Sequence, residues 1–138
     1  MYGDDTATDF DGIRVIARRG PITIGSGDQI IREYCVAAIN DGMRGVVLDF
    51  SNILTVDSSG WGELGGSLTT CLHRNVMFAF ACIHPKFEEL LEITNFRTIF
   101  PVFPDVETAV RTLGAIDFAT YTMRSHEWTD DRRVSAKT

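Results

Sequence analysis

The sequence predicts an α/β domain, a mainly parallel mixed sheet of four to five strands packed with about four helices. Two observations carry the prediction. "GVVLDF" at 45–50 and "VMFAFAC" at 76–82 are short, nearly unbroken apolar runs, as expected of strands covered on both faces. Between and after them lie segments whose apolar residues recur at helical spacing. The chain has 138 residues and 44% apolar content, enough for one compact core and little more.

Taken in order, "MYGDDTATD" reads as an acidic flexible leader over residues 1–9. In "GIRVIARRG", Ile13, Val15 and Ala17 alternate with more polar neighbours, the pattern of a half-covered strand. "GPITIGSGD" is β-rich and punctuated by Gly20, Gly25 and Gly27, and Asp28 is placed to cap the helix that follows. That helix carries Ile30, Ile31, Tyr34, Cys35, Ala38 and Ile39 on one stripe and stops at Gly42. After "GVVLDF", residues 59–73 place Trp61, Leu64, Leu68, Cys71 and Leu72 on a second stripe. Glycines at 60, 62, 65 and 66 lower helix propensity there and suggest close packing. "VMFAFAC" leads to Pro85, suited to a first helical turn, and a helix with Phe87, Leu90 and Leu91 facing inward. "FPVF" at 100–103 is a short strand. The final helix is capped by Asp105, packs through Val106, Ala109, Val110 and Leu113, and ends at Gly114. The domain proper is expected over 10–114, with 115–138 a C-terminal extension, partly packed and then loose.

Composition excludes several functions. A net charge of -6 gives no overall positive field for nucleic acid or an anionic membrane surface. No apolar run approaches 18 residues, so a membrane-inserted segment is not expected. Cys35, Cys71 and Cys82 are odd in number and set in apolar segments, which reads as reduced, buried thiols in a cytoplasmic setting. His73, His84 and His126 share no metal-ligand spacing with cysteine or acid, and neither GxSxG, GxGxxG nor a phosphate-binding GxxxxGK[ST] occurs. No catalytic residue, cofactor or metal is therefore assigned.

The candidate site is "VDSSG" at 56–60, between a buried strand and a helix. Two readings are open from the residues alone. A small hydroxyl just before a helix accepts a bond from an unpaired N–H, and the neighbouring acid suits the positive end of the helix dipole. An accessible hydroxyl at the same place is also within reach of a kinase, and phosphate there changes the local charge by about -1.5 to -2. Trp61 reads as core or as a partner contact beside the switch.

The stretch "GVVLDFSNILTVDSSGWGELGGSLTTC" resembles the STAS domains, and among them the bacterial anti-sigma factor antagonists. The resemblance continues more loosely through "NVMFAFACIHPKFEELLEITNFRTIFPVFPDVETAVRTL" and covers about residues 10–114. It implies a non-enzymatic regulator. By the same resemblance, the unphosphorylated form is expected to bind an anti-sigma factor with a GHKL-type serine kinase fold, phosphorylation of Ser58 to break that complex, and a PP2C-type phosphatase to reset it. Ser59 holds the adjacent hydroxyl position. The implied partner surface comprises Asp57, Ser59, Gly60 and Trp61 with the loop of Thr23, Gly25, Ser26, Gly27 and Asp28; a homodimer is a further partner expectation, to which the terminal extensions could contribute a contact. Where many antagonists read "GELD", this chain reads "GPIT", with Thr23 in place of the acid. STAS domains also serve as scaffolds in signalling or membrane-transport assemblies, which is the alternative reading.

Overall fold

The structure is a computed structural model that describes residues 5–93 and 101–123. Its main sheet has five strands in the order β1-β2-β4-β6-β7: β1 (Asp5–Phe10), β2 (Ile13–Arg18), β4 (Gly45–Asp49), β6 (Met77–Ala81) and β7 (Val102–Phe103). Strands β2, β4, β6 and β7 run parallel, and β1 pairs antiparallel at the edge. A second, two-stranded parallel sheet joins β3 (Gly20–Ile22) to β5 (Ile53–Val56). The α-helices among the described residues are α1 (Asp28–Asn40), α2 (Ser58–His73), α3 (Glu88–Ile93), which a 3-10 turn at Pro85–Phe87 leads into, α4 (Val106–Gly114) and α5 (Phe118–Met123).

The apolar runs are continuous because helices cover both faces of the sheet. On β6, Phe78 and Phe80 point into the cluster formed with α1 and α2, while Met77, Ala79 and Ala81 meet the α4 and α5 side. On β4, Val46 and Leu48 face the first cluster and Val47 the second. The alternation of large and small residues on β6 lets two layers of different thickness pack on one strand, and burial of each Phe contributes roughly 1.5–3 kcal/mol.

Two strands differ from expectation. Residues 5–10, read as part of a leader through residue 9, form strand β1, because "DG" makes a two-residue hairpin turn: Asp11 has φ 52° and Gly12 φ 83°. The Arg18 guanidinium donates to both Asp5 carboxylate oxygens, at 3.0 and 3.1 Å, and also to the Pro21 carbonyl at 2.7 Å, which ties the first strand to the second. Strand β5 is also new, and only Ile53 of its four residues is buried.

Other expectations are met or adjusted residue by residue. Asp105 caps α4 by accepting from the Thr108 N–H at 2.6 Å. Helix α1 already includes Asp28; its cap position is Gly27, at φ 84°, and no side chain caps it. A Cβ at Gly27 would lie 2.5 Å from the Arg18 guanidinium and 2.7 Å from the Pro21 carbonyl oxygen, so glycine is required there by both backbone and space. All three cysteines are free, with Cys35 and Cys71 buried and Cys82 half-buried at the end of β6. The Cys35 thiol is held well above its usual range, chiefly by the neighbouring Cys71 thiol and then by burial. Residues 118–123, in the expected extension, form α5 and pack on the sheet through Tyr121. The remainder, 124–138, lies outside the described residues.

Candidate functional site

The parallel pairing of β3 with β5 brings their C-terminal ends side by side, so the 23–27 turn and the start of α2 become neighbours. The turn is closed by a reciprocal pair: the Thr23 N–H donates to the Ser26 carbonyl at 2.7 Å, and the Ser26 N–H to the Thr23 carbonyl at 2.8 Å. Asp57 then joins the two pieces. Its Oδ1 accepts from the Gly60 N–H at 2.8 Å, capping α2, and its Oδ2 accepts from the Ile24 N–H at 3.0 Å. The Asp57 N–H donates in turn to the Ile22 carbonyl at 3.3 Å. These contacts, the Gly60 N–H first and the Ile24 N–H next, hold the Asp57 carboxyl below its ordinary range, so it is ionised at neutral pH.

Gly60 is set by close approach. A Cβ there would stand 2.0 Å from the Ile22 carbonyl oxygen and 2.8 Å from Val56, so the first turn of α2 can lie against β3 only without a side chain. The close-packing reading of the α2 glycines holds for Gly60 and not for Gly62, which has open space around it. Trp61 sits in the core at 6% exposure, stacked on Phe50 at 6.2 Å between ring centroids and edge-on to Phe87 at 6.0 Å. It supports the site from beneath rather than presenting a surface, because the α2 stripe that contains it faces the sheet.

The capping duty falls on Asp57, and Ser58 is the first residue inside the helix. That separation leaves the Ser58 side chain exposed, with no hydrogen bond to its hydroxyl among the described residues. Ser59 is half-buried, as are Thr23, Ser26 and Gly27; Gly25 is exposed. The structure therefore gathers Asp57, Ser58, Ser59 and the 23–27 turn at one end of the domain, with Gly60 and Trp61 below them.

Two surface residues absent from the sequence reading belong to the same region. Ile24, at the tip of the turn, is 75% exposed, and Leu54 on β5 is 58% exposed. The Lys86 ammonium donates to the Leu54 carbonyl and lies 5.2 Å from the centre of the Phe87 ring. An exposed apolar residue at a turn tip is legible in "PITIGSG" only once the turn is known to project. Chemically, the site offers an accessible hydroxyl next to an ionised carboxylate. Among the described residues no group of His, Cys, Asp and Glu could hold a metal ion, and no helix is long and apolar enough to cross a membrane.

Comparison with known proteins bears on the family and the fold. A sequence model of the STAS domain matches residues 6–109. An anti-sigma factor antagonist from Mycobacterium paratuberculosis superposes with a TM-score of 0.68 at 19% identity, covering 79% of this chain and 92% of that one. The Bacillus cell fate determinant SpoIIAA, in its phosphorylated form, gives a TM-score of 0.61 at 15% identity over 78% of this chain and 98% of that one. The murine anion transporter Slc26a9 gives 0.66 at 19% identity over 79% of this chain, matching only 19% of its own much longer chain. No curated protein sequence matches significantly.

Proposed function

This chain belongs to the STAS domain family, and we propose that it is a non-enzymatic regulator, an anti-sigma factor antagonist switched by phosphorylation of Ser58. Unphosphorylated, it binds an anti-sigma factor with a GHKL-type serine kinase fold and so frees a sigma factor for transcription. Phosphorylation of Ser58 by that kinase ends the complex, and a PP2C-type phosphatase restores the binding form. The cycle runs in the cytoplasm.

The observation that carries this reading is the division of labour between Asp57 and Ser58. Because the carboxylate caps α2, the hydroxyl is spared for chemistry. A phosphate at Ser58 adds about -1.5 to -2 charge next to Asp57, within a surface that otherwise offers a neutral hydroxyl, Ser59, Thr23 and the apolar Ile24. A partner surface matched to those groups then faces a desolvation cost and like-charge repulsion at its centre. Thr23 fits the same logic: where many antagonists carry an acid, this chain keeps the turn beside Asp57 neutral, so the charge step on phosphorylation is larger relative to the resting surface.

The test is affinity capture from lysate of the native host with wild type, Ser58→Ala and Ser58→Asp. Retention of a GHKL-type kinase by wild type and Ser58→Ala, with at least a tenfold loss for Ser58→Asp, is the expected result. Equal recovery by all three, or recovery of a transporter or scaffold alone, favours the second reading: a non-switching subunit of a signalling or transport assembly, to which the fold likeness with the anion transporter lends support.

A further inference from the structure

The edge of the main sheet beside β6 is completed by a side chain. In parallel pairing, each ladder-facing residue of the edge strand accepts a hydrogen bond from one residue of its neighbour and donates to the residue two positions earlier on that neighbour. Strand β7 follows this rule: the Cys82 N–H donates to the Phe103 carbonyl at 3.1 Å, and the Phe80 N–H donates to the Pro101 carbonyl at 3.0 Å. The rule then assigns residue 101 as donor to the Phe78 carbonyl. Residue 101 is proline, which has no N–H, so it fills the accepting half of its place and not the donating half.

The Tyr121 hydroxyl stands where that donor is needed. It donates to the Phe78 carbonyl at 2.5 Å, and its oxygen accepts from the Phe78 N–H at 3.2 Å. Both Phe78 groups point toward the β7 side, as they must, since the Phe80 N–H two residues on points there and the preceding Met77 N–H points to β4, donating to the Arg44 carbonyl at 2.9 Å. Tyr121 is buried, stacked on Phe118 at 6.0 Å, and held by α5, whose first turn is capped by Asp117 accepting from the Thr120 N–H at 2.8 Å. Desolvation drives the phenol pKa up, which keeps the hydroxyl protonated and able to donate.

We propose that Tyr121 is a strand surrogate that supplies the ladder donor Pro101 lacks, so that α5 acts as a strap closing this edge of the sheet. The strap lies beyond the 6–109 span matched by the family model, which makes the C-terminal segment part of this chain's folding unit. The inference is independent of the role of Ser58.

A double-mutant cycle in the full chain tests it, with Tyr121→Phe, Pro101→Ala and the pair compared by urea denaturation and by amide exchange at Phe78. Tyr121→Phe keeps the ring and its stacking and removes only the hydroxyl. It is expected to lower the folding equilibrium constant about tenfold and to speed Phe78 amide exchange relative to the rest of β6. Adding Pro101→Ala restores an N–H donor to the Phe78 carbonyl, and is therefore expected to recover about threefold or more of the lost stability. Effects of the two substitutions that multiply independently, or a Tyr121→Phe chain indistinguishable from wild type, overturn the proposal.

Discussion

At the scale of single residues, the site depends on which atom caps α2. A serine at the cap would be tied to a backbone N–H and poorly placed for modification. Here the Asp57 carboxylate holds both the Gly60 and the Ile24 N–H groups, and Ser58 is left accessible. The sequence shows the acid and the hydroxyls together but not the assignment of roles, because Asp and Ser are about equally good caps and the choice is set by where β5 delivers the chain. Gly60 is the companion requirement. Replacing it with Ala forces a Cβ toward the Ile22 carbonyl oxygen, a backbone atom that cannot swing away. Gly60→Ala is expected to cost ~1–3 kcal/mol in chemical denaturation. A variant as stable as wild type would show that α2 does not lie against β3 as closely as described.

At the scale of elements, the strands with continuous apolar runs were legible and those with few buried side chains were not. "GVVLDF" and "VMFAFAC" announce β4 and β6 because every residue is needed on one face or the other. Strand β1, "DTATDF", is exposed along most of its length and shows no apolar alternation, although the "DG" that closes its hairpin is a readable signal. Strand β5 escaped for the same reason, and with it the pairing that sets the 23–27 turn beside Ser58. The starts of α2, α4 and α5 share one device: Asp57, Asp105 and Asp117 each accept from a backbone N–H three residues on, and each carboxyl is held below its ordinary 3.8 by that bond first of all. Because the folded-state values are depressed, the stability these caps contribute is present above the unfolded value and is lost as pH falls through the folded ones. Thermal melts are thus expected to be insensitive to these groups near neutrality and to fall progressively below about pH 4. An Asp105→Asn, Asp117→Asn chain should show a shallower acid limb than wild type. Identical limbs would mean that the caps do not set it.

At the scale of the whole molecule, the two faces of the sheet serve different ends. The α1 and α2 face carries the larger aromatic core and the exposed site above it, while the α4 and α5 face carries the C-terminal strap. Net charge is -6, so one phosphate changes the total modestly. Its effect must therefore be local, at the junction of Asp57, Ser58 and the 23–27 turn, where a partner meets Ile24 and the hydroxyls together. The measurement that bears most directly on this is phosphosite mapping by tandem mass spectrometry, after incubating wild-type and Ser58→Ala protein with ATP and the kinase captured by the unphosphorylated form. The expected result is a single phosphate on Ser58 in wild type and none in Ser58→Ala. Phosphate on Ser59 or elsewhere, equal incorporation into Ser58→Ala, or no incorporation into wild type would contradict a switch at Ser58.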